Sequence, residues 1–212
     1  RVTTEAAAVL PNRIVREVLD KGDGVGATRL IGKDELVRMN PAVRARTNIT
    51  ILDTPMARPT TMKVLDMGMA KEYAIPIRDS AGRITGVLYG GRIINQDYAL
   101  VDRIKSIVFG QEMYNSKPVG TVTIFQDDVR ISTNVLTKEG HRAIGTRVSE
   151  QVYQWVVEQG KTWWKRAFVV TDWYVTAYEP IHNIEGEIVG ILYVGLLEKP
   201  FADMSRQILI VY

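Results

Sequence analysis

One segment of sixteen residues occurs twice in this chain. Residues 76–91 align without gaps on residues 180–195, at an offset of 104 positions. Eight of the sixteen aligned positions are identical, and they include a Pro-Ile start, three glycines and a Leu-Tyr pair. A repeat at such spacing predicts that one supersecondary unit is used twice. The 212 residues exceed one module of ~100–150 residues, so the chain has room for two.

Each copy of the repeat predicts an antiparallel β-hairpin. Turn residues lie at positions 79–82 and 183–186, between segments in which apolar residues alternate. In the second half, two strands are predicted at residues 120–125 and 129–133. A helix then begins at the N-cap Ser149 and ends at Gly160, and strands follow at 166–181 and 187–197. This half therefore predicts strand, strand, helix, strand, strand.

The first half predicts a related but shorter set of elements. Ile14, Val15, Val18 and Leu19 form a helical stripe that ends at Gly22. A strand at 25–31, a short helix near 34–39 and a strand at 48–52 precede the first hairpin, and a helix capped by Asn95 follows it and ends at Gly110. The half lacks a clear opening pair of strands. We predict an α+β chain with a first module at 1–110, a second at 111–201 and a C-terminal helix at 202–212.

Several kinds of chemistry are excluded or disfavoured by the composition. The chain has no cysteine, so it has neither disulfides nor thiolate metal sites. Its two histidines, His141 and His182, lie far apart and neither has a second ligand at the spacing of a metal site. Asp127-Asp128 lacks the pattern of a calcium loop and predicts a hairpin turn. We therefore predict no metal site and no cofactor.

Nucleic-acid binding and catalysis are also disfavoured. The net charge is only +3, and no block of five positions is rich in Lys and Arg. The glycines between positions 82 and 91 are separated by residues in strand alternation, which does not indicate a nucleotide loop. The sequence has no Gly-x-Ser-x-Gly elbow. A dispersed Ser-His-Asp or Ser-Lys arrangement stays open, but we assign no catalytic residue.

The strongest candidate for a binding site is an aromatic and basic segment. All four tryptophans lie between residues 155 and 173. Strand alternation places Tyr174 and Tyr178 on one face, and Trp163 and Arg166 lie just upstream. Such residues can line a cavity in which Arg binds a carboxylate through two hydrogen bonds. The alternative is that the rings are core or interdomain packing.

Other arginines are candidate anion ligands. Arg130 and Arg147 lie with Arg166 in the second half, flanked by β-branched and aromatic residues, where three guanidinium groups could converge. In the first half, a proline-containing loop can present Arg58 and Thr60 to a ligand. For each of these residues a solvated side chain on an ordinary surface loop is the alternative.

The C-terminal apolar run, residues 208–212, also has two interpretations. It is far shorter than the ~20 residues that span a bilayer. It is either the first turn of a membrane helix or the end of an amphipathic helix. The absence of an initial Met and of a signal-like segment indicates a fragment of a longer protein.

Four segments carry a resemblance to a known family. Residues 120–134, 143–148, 172–181 and 190–195 resemble the Cache 3/Cache 2 fusion sensor domains, and Arg58-Pro59-Thr60 and the Leu88-Tyr89-Gly90-Gly91 strand also fit. These domains are the extracytoplasmic parts of bacterial sensor histidine kinases and chemoreceptors. The resemblance implies an α+β fold of two PAS-like (Cache) modules, each an antiparallel sheet with flanking helices, plus helical N- and C-terminal segments.

The resemblance also implies a function. We expect a periplasmic sensor, anchored in the inner membrane by flanking helices and homodimeric in the full-length receptor, that binds a small anionic metabolite such as an organic acid. The predicted ligand-binding residues are Arg58, Thr60, Arg130, Arg147, Trp163, Arg166, Tyr174 and Tyr178. We expect the loops around Trp163–Arg166 to rearrange on signalling, and residues 199–212 to carry the shift towards the membrane. The alternative is a ligand-free dimerisation module, and an enzyme with an unrecognised site is the third possibility.

Overall fold

The computed structural model describes residues 13–210, with side chains through residue 205. The helices are α1 (Arg13–Lys21), α2 (Lys33–Val37), α3 (Pro41–Thr47), α4 (Tyr98–Phe109), α5 (Glu150–Tyr153, continued by a π-helical turn over Gln154–Glu158) and α6 (Lys199–Ile210). The strands are β1 (Val25–Ile31), β2 (Ile49–Thr50), β3 (Val64–Leu65), β4 (Gly68–Arg78), β5 (Ile84–Ile93), β6 (Met113–Tyr114), β7 (Lys117–Pro118), β8 (Gly120–Gln126), β9 (Val129–Thr133), β10 (Trp163–Val169), β11 (Asp172–His182) and β12 (Ile188–Leu197).

The strands form two main antiparallel sheets. The first sheet has three strands in the order β1-β4-β5, and the second has five in the order β10-β11-β12-β8-β9. Short ribbons pair β2 with β3 and β6 with β7. The predicted α+β class with antiparallel sheets and flanking helices is confirmed. The proposed division at residues 110 and 111 stays a prediction.

The two copies of the repeat form the same hairpin, β4–β5 in the first sheet and β11–β12 in the second. Each turn begins with a side chain, of Asp79 or Asn183, that accepts two backbone N–H groups. Each turn ends at a glycine in the left-handed region, Gly82 at φ 80° and Gly186 at φ 85°. Even the shift in strand register recurs, before Arg78 and before His182.

Strand register extends the correspondence beyond the hairpin. Val25 of β1 pairs with Ala74, and Trp163 of β10 pairs with Tyr178. Because positions 74 and 178 are equivalent in the repeat, β1 takes the place in the first sheet that β10 takes in the second. Among the described residues, the first sheet has no counterpart of β8 and β9. This agrees with the missing opening strand pair noted in the sequence.

The second sheet is covered on both faces at β8 and β9. On its inner face, Phe125, Tyr178 and Tyr193 pack with Val152 and Val156 of the α5 segment. On its outer face, residues of β8 and β9 pack with Val101 of α4 in a second apolar cluster. The strand β9 is buried at every position, which follows from its place between these two layers.

The first sheet is covered on one face only. Ile14 and Val18 of α1 pack on Ala74. The opposite face exposes Tyr73, Ile75 and Leu88, which are 58%, 51% and 60% accessible. Adjacent strand positions point to opposite faces, so the alternation in β4 and β5 produces one packed side and one open side.

Three local predictions are corrected. The predicted strand at 166–181 is two strands, β10 and β11, and Trp163–Arg166 lies in β10 rather than in a loop. Asn95 does not cap α4, whose N-cap is Asp97. The Asn95 side chain instead accepts the Met69 N–H at 2.7 Å.

The C-terminal helix begins at Lys199, three residues before the predicted start at 202. The predicted N-terminal segment, residues 1–12, and residues 211–212 lie outside the described part of the chain. Within residues 13–210, no helix is both long and apolar enough to cross a bilayer.

Candidate ligand-binding site

A cavity of about 650 Å³ lies against the second sheet. Its walls come from β9, β10 and β11, from the start of α5, and from two loops, residues 53–56 and 146–149. Ligand cavities in proteins usually measure ~300–1,000 Å³, so this one is large enough for a metabolite. Residues 53–56 belong to the β2–β3 loop (residues 51–63), so the first half of the chain supplies part of the wall.

Arg130 is the most unusual residue of this wall. It lies in β9 and is 4% exposed. Its Nε and Nη1 atoms are buried and have no hydrogen-bond partner. The guanidinium carbon lies 5.1 Å from the centre of the Phe125 ring. Burial lowers the pKa of Arg130, because the charged form is desolvated without a carboxylate to compensate it.

A second buried donor lines the same cavity. Trp163, the first residue of β10, is 5% exposed, and its indole Nε1 has no hydrogen-bond partner. The ring is held edge-on against Trp155, with centroids 6.5 Å apart. Buried polar groups are nearly always hydrogen-bonded, and an unpaired one costs about 1–3 kcal/mol. Two residues with unpaired donors therefore line one cavity, and such donors can bind an acceptor group.

Tyrosines surround the buried guanidinium. Tyr178 lines the cavity, and Tyr174, four residues earlier in β11, lies on the same face of the strand. Burial raises the pKa of both hydroxyls to about 12. Burial also raises the pKa of Tyr193, whose hydroxyl lies 3.0 Å from Thr121 Oγ1. The hydroxyls therefore stay protonated at neutral pH and do not neutralise Arg130.

Arg147 and Arg58 belong to an ion-pair network. Arg147 lines the cavity, but its Nε and Nη2 atoms donate to Asp128 and its Nη1 donates to the Arg58 carbonyl at 2.6 Å. Arg58 donates to Asp128 at 2.9 Å and to Asp127 at 2.6 Å, and its guanidinium stacks on Tyr153. The network fixes the β2–β3 loop to the β8–β9 turn, and both arginines are compensated.

Burial and the adjacent Asp128 charge raise the pKa of Asp127, whereas Arg58 opposes that rise. The two carboxylates and two guanidinium groups therefore form one electrostatic unit. This unit holds Thr54, Pro55 and Met56 at the mouth of the cavity, where the Thr54 hydroxyl accepts the Arg147 N–H at 3.1 Å.

Arg166 and Thr60 differ from the other predicted site residues. Arg166 points to the face of β10 opposite Trp163, pairs with Glu198 at 2.5 Å and stacks on Trp173. It reaches the cavity only at its solvent-exposed rim. Thr60 is exposed and does not line the cavity, and its hydroxyl accepts the Met62 N–H.

The structure thus brings together most of the predicted set. Five predicted residues line the cavity, namely Arg130, Arg147, Trp163, Arg166 and Tyr178. Tyr174 shares the inner face, Arg58 reaches the site through Arg147, and Thr60 lies outside it. Their role in binding stays a prediction.

Sequence reasoning missed the apolar wall and the partner of Arg147. Val148 and Val152 flank the N-cap Ser149 and line the cavity. The cap itself was a usable signal, because it fixes where α5 begins and thus which residues face the sheet. Asp128 was assigned only to a turn, and no local pattern indicates that it neutralises Arg147.

The described residues 13–210 contain no group of three or more His, Cys, Asp or Glu side chains suited to hold a metal ion. The cavity instead combines unpaired hydrogen-bond donors with an apolar wall. That combination can hold and orient an anionic ligand, and it has the character of a binding site.

Two solved structures resemble this chain weakly. The periplasmic domain of Vibrio cholerae LuxQ aligns with 15% identity and a TM-score of 0.36, over 78% of this chain and 60% of that one. The extracellular domain of rpHK1S-Z16, which is named as a histidine kinase, aligns with 10% identity and a TM-score of 0.36, over 93% and 80%. No curated protein matches the chain.

The match to a family model is more informative. The model of single Cache domain 3 matches residues 92–208, which is more than half of the chain. It includes α4, the whole second sheet and most of α6. The expected fusion of two Cache domains is not confirmed, because the match begins at residue 92. The chain belongs to the single Cache domain 3 family, and it is therefore a ligand-binding, non-catalytic sensor module.

Proposed function

We propose that this chain is the extracytoplasmic sensor domain of a transmembrane receptor, either a sensor histidine kinase or a methyl-accepting chemotaxis protein. Its cavity binds a small anionic metabolite through Arg130. The observation that carries the proposal is the buried guanidinium of Arg130, which has no carboxylate partner and belongs to a residue that lines the cavity. A ligand carboxylate supplies the missing charge and a missing acceptor.

The signal is a shift between two arrangements of the cavity wall. A ligand moves such an equilibrium only by its differential affinity for the two states. The wall includes two loops, residues 53–56 and 146–149, and these loops close on the ligand. Strand β12 pairs with β11 and β8 and is followed directly by α6. A movement of the sheet can therefore pass through α6 towards a membrane anchor.

The test is ligand binding with matched variants. A panel of organic acids is screened by thermal shift, and affinities are measured by calorimetry. Arg130→Met is expected to weaken binding of the best acid by at least about 100-fold, and Trp163→Phe by about tenfold. Arg92→Met, in the first sheet, removes a guanidinium remote from the cavity and is expected to leave the affinity unchanged. A panel without any binder, or binding that survives Arg130→Met, overturns the proposal.

A second candidate function is dimerisation, and one surface favours it. The outer face of β10 and β11 exposes Trp164, Phe168, Trp173 and Val175, between 45% and 74% accessible. Exposed aromatic residues grouped in this way are typical of protein interfaces. Because Trp164 and Val175 do not line the cavity, Trp164→Ser with Val175→Ser is expected to abolish association and to preserve acid binding. Light scattering during size-exclusion chromatography checks the first outcome. A wild-type monomer at high concentration overturns this candidate.

A further inference from the structure

We propose that the cavity selects a monocarboxylate with an uncharged body, and that Asp128 sets this selectivity by neutralising Arg147. The inference rests on the proposed carboxylate site at Arg130 and specifies the charge of its ligand. The charged side chains around the cavity carry this inference.

Only one buried cation of the described cavity wall lacks a counter-ion. Arg130 is that residue. The Arg147 side chain is as deeply buried as that of Asp128, 5% against 3% exposed, and the two form an ion pair. All three guanidinium nitrogens of Arg147 already donate, Nε and Nη2 to Asp128 and Nη1 to the Arg58 carbonyl. A second ligand carboxylate would find no free cation in the interior.

The rim of the cavity opposes a second negative charge. Asp53 and Glu150 line it and are exposed. Arg166, the cation of the rim, is paired with Glu198. A carboxylate at the far end of a ligand would meet like charges there, or would lose its hydration in the interior without a partner.

The body of the ligand meets an apolar wall. Val148, Val152, Ala167 and Val169 line the cavity together with the Tyr178 ring. Apolar surface buried on binding contributes about 25 cal/mol per Å², so hydrocarbon is favoured there over charged groups. The site therefore fits one carboxylate at Arg130 and Trp163, followed by an uncharged chain or ring.

Three probes with one carbon skeleton test the charge preference. Hexanoate, adipate and 6-aminohexanoate share an unbranched six-carbon chain, and the far end is uncharged in the first, a carboxylate in the second and an ammonium group in the third. At neutral pH, calorimetry with the intact chain is expected to show hexanoate binding at least about tenfold more tightly than either of the others. If adipate binds as tightly as hexanoate or more tightly, the inference is wrong. Tighter binding of 6-aminohexanoate also overturns it, because the acidic rim would then recognise an ammonium group.

Two neighbouring variants test the role of Asp128. Asp128→Asn keeps an acceptor but removes the charge that neutralises Arg147, so the ratio of adipate to hexanoate affinity is expected to rise at least about tenfold. Asp127→Asn is the matched control, because Asp127 is half-exposed and pairs with Arg58, which leaves the Arg147–Asp128 pair intact. The control is expected to change the ratio by less than about twofold. An unchanged ratio in a folded Asp128→Asn protein overturns the assignment to Asp128.

The outcomes separate this inference from the proposed function. If none of the three probes binds, the monocarboxylate inference fails, and the proposed carboxylate site fails with it if no acid of the wider panel binds. If adipate binds best and its binding still requires Arg130, the carboxylate site stands and only the monocarboxylate inference is wrong. If Asp128→Asn does not fold, the ranking of the three probes in the unaltered chain still decides the inference.

Discussion

The two sheets each carry an arginine beneath a layer of helix, and the surroundings of these arginines are opposite. Arg29 in β1 donates to Glu72 at 2.9 Å and to Glu35 at 2.7 Å, and the Tyr89 hydroxyl donates to Glu72 at 2.6 Å. Side-chain hydrogen bonds to Glu35 contribute most to raising the pKa of Arg29, whereas burial alone lowers that of Arg130. Arg147 is nearly as buried as Arg130 but is paired with Asp128, so partners rather than burial set the unpaired Arg130 apart from the paired arginines.

The same comparison holds for the repeated hairpins. Tyr89 and Tyr193 occupy equivalent positions, and so do Gly86 and Gly190. Only the second hairpin has β8 beside it and α4 beneath it. The added elements cover the outer face at β8, β9 and β12, and residues of the inner face build the cavity. Equivalent substitutions in the two hairpins should therefore have unequal effects.

The largest difference is expected at the equivalent glycines. A Cβ at residue 190 would lie 2.1 Å from the Phe125 carbonyl oxygen, whereas the atom nearest to a Cβ at residue 86 is 3.8 Å away. Gly190→Ala is expected to lower the free energy of unfolding by about 3 kcal/mol, because backbone atoms must move. Gly86→Ala is expected to be neutral or slightly stabilising. Urea denaturation of the two variants measures both, and equal effects would contradict the packing described for β8.

The two arginine environments predict changes of opposite sign. Glu72→Gln removes a buried charge from Arg29, and it is expected to destabilise the protein by about 2 kcal/mol, since Arg29 is partly exposed and keeps Glu35. Arg130→Met removes an uncompensated buried charge. Without ligand, it is expected to stabilise the protein by about 1 kcal/mol. Denaturation curves in acid-free buffer check both signs, and destabilisation by Arg130→Met would show that Arg130 is structural.

Alkaline pH tests the tyrosines around Arg130. The pKa of Tyr178 is about 12 in the folded protein, above the ordinary value near 10. Between these values the unfolded chain loses the proton and the folded protein keeps it, so stability falls as pH rises from about 10 to 12. The expected loss is about 2 kcal/mol for Tyr178. Tyr178→Phe should reduce the fall, and an equal fall in that variant would contradict the buried position of the hydroxyl.

Much of the fold could be predicted from local sequence. The turns at 79–82 and 183–186 begin with Asp or Asn and end with Gly, which are strong turn signals. Alternation correctly placed Tyr174 and Tyr178 on the buried face of β11. In contrast, the turn between β10 and β11 has Val170 at φ 57° and contains no Gly, Pro, Asn or Asp, so the sequence predicted one strand across it.

The site was less predictable because its decisive property is an absence of partners. The sequence predicted Arg58, Arg130 and Arg147 alike as ligand-binding residues and did not distinguish among them. Asp128 neutralises two of them across 70 and 19 positions of chain, and it does not reach the third. Such long-range pairing follows from how β9, the β2–β3 loop and the loop before α5 meet, which no local pattern encodes.

The smallest expected effect concerns the outer faces of the hairpins. Leu192 is partly buried and packs against the cluster that contains Val101 of α4, whereas the equivalent Leu88 is 60% exposed. Leu192→Ala is expected to cost about 1.5 kcal/mol, and Leu88→Ala less than about 0.5 kcal/mol. Both values come from urea denaturation of the isolated chain at low protein concentration. The contrary outcome is that Leu88→Ala lowers the free energy of unfolding nearly as much as Leu192→Ala, and that this loss grows with protein concentration. It would mean that a second molecule covers the exposed face of the first sheet, as α4 covers the outer face of the second.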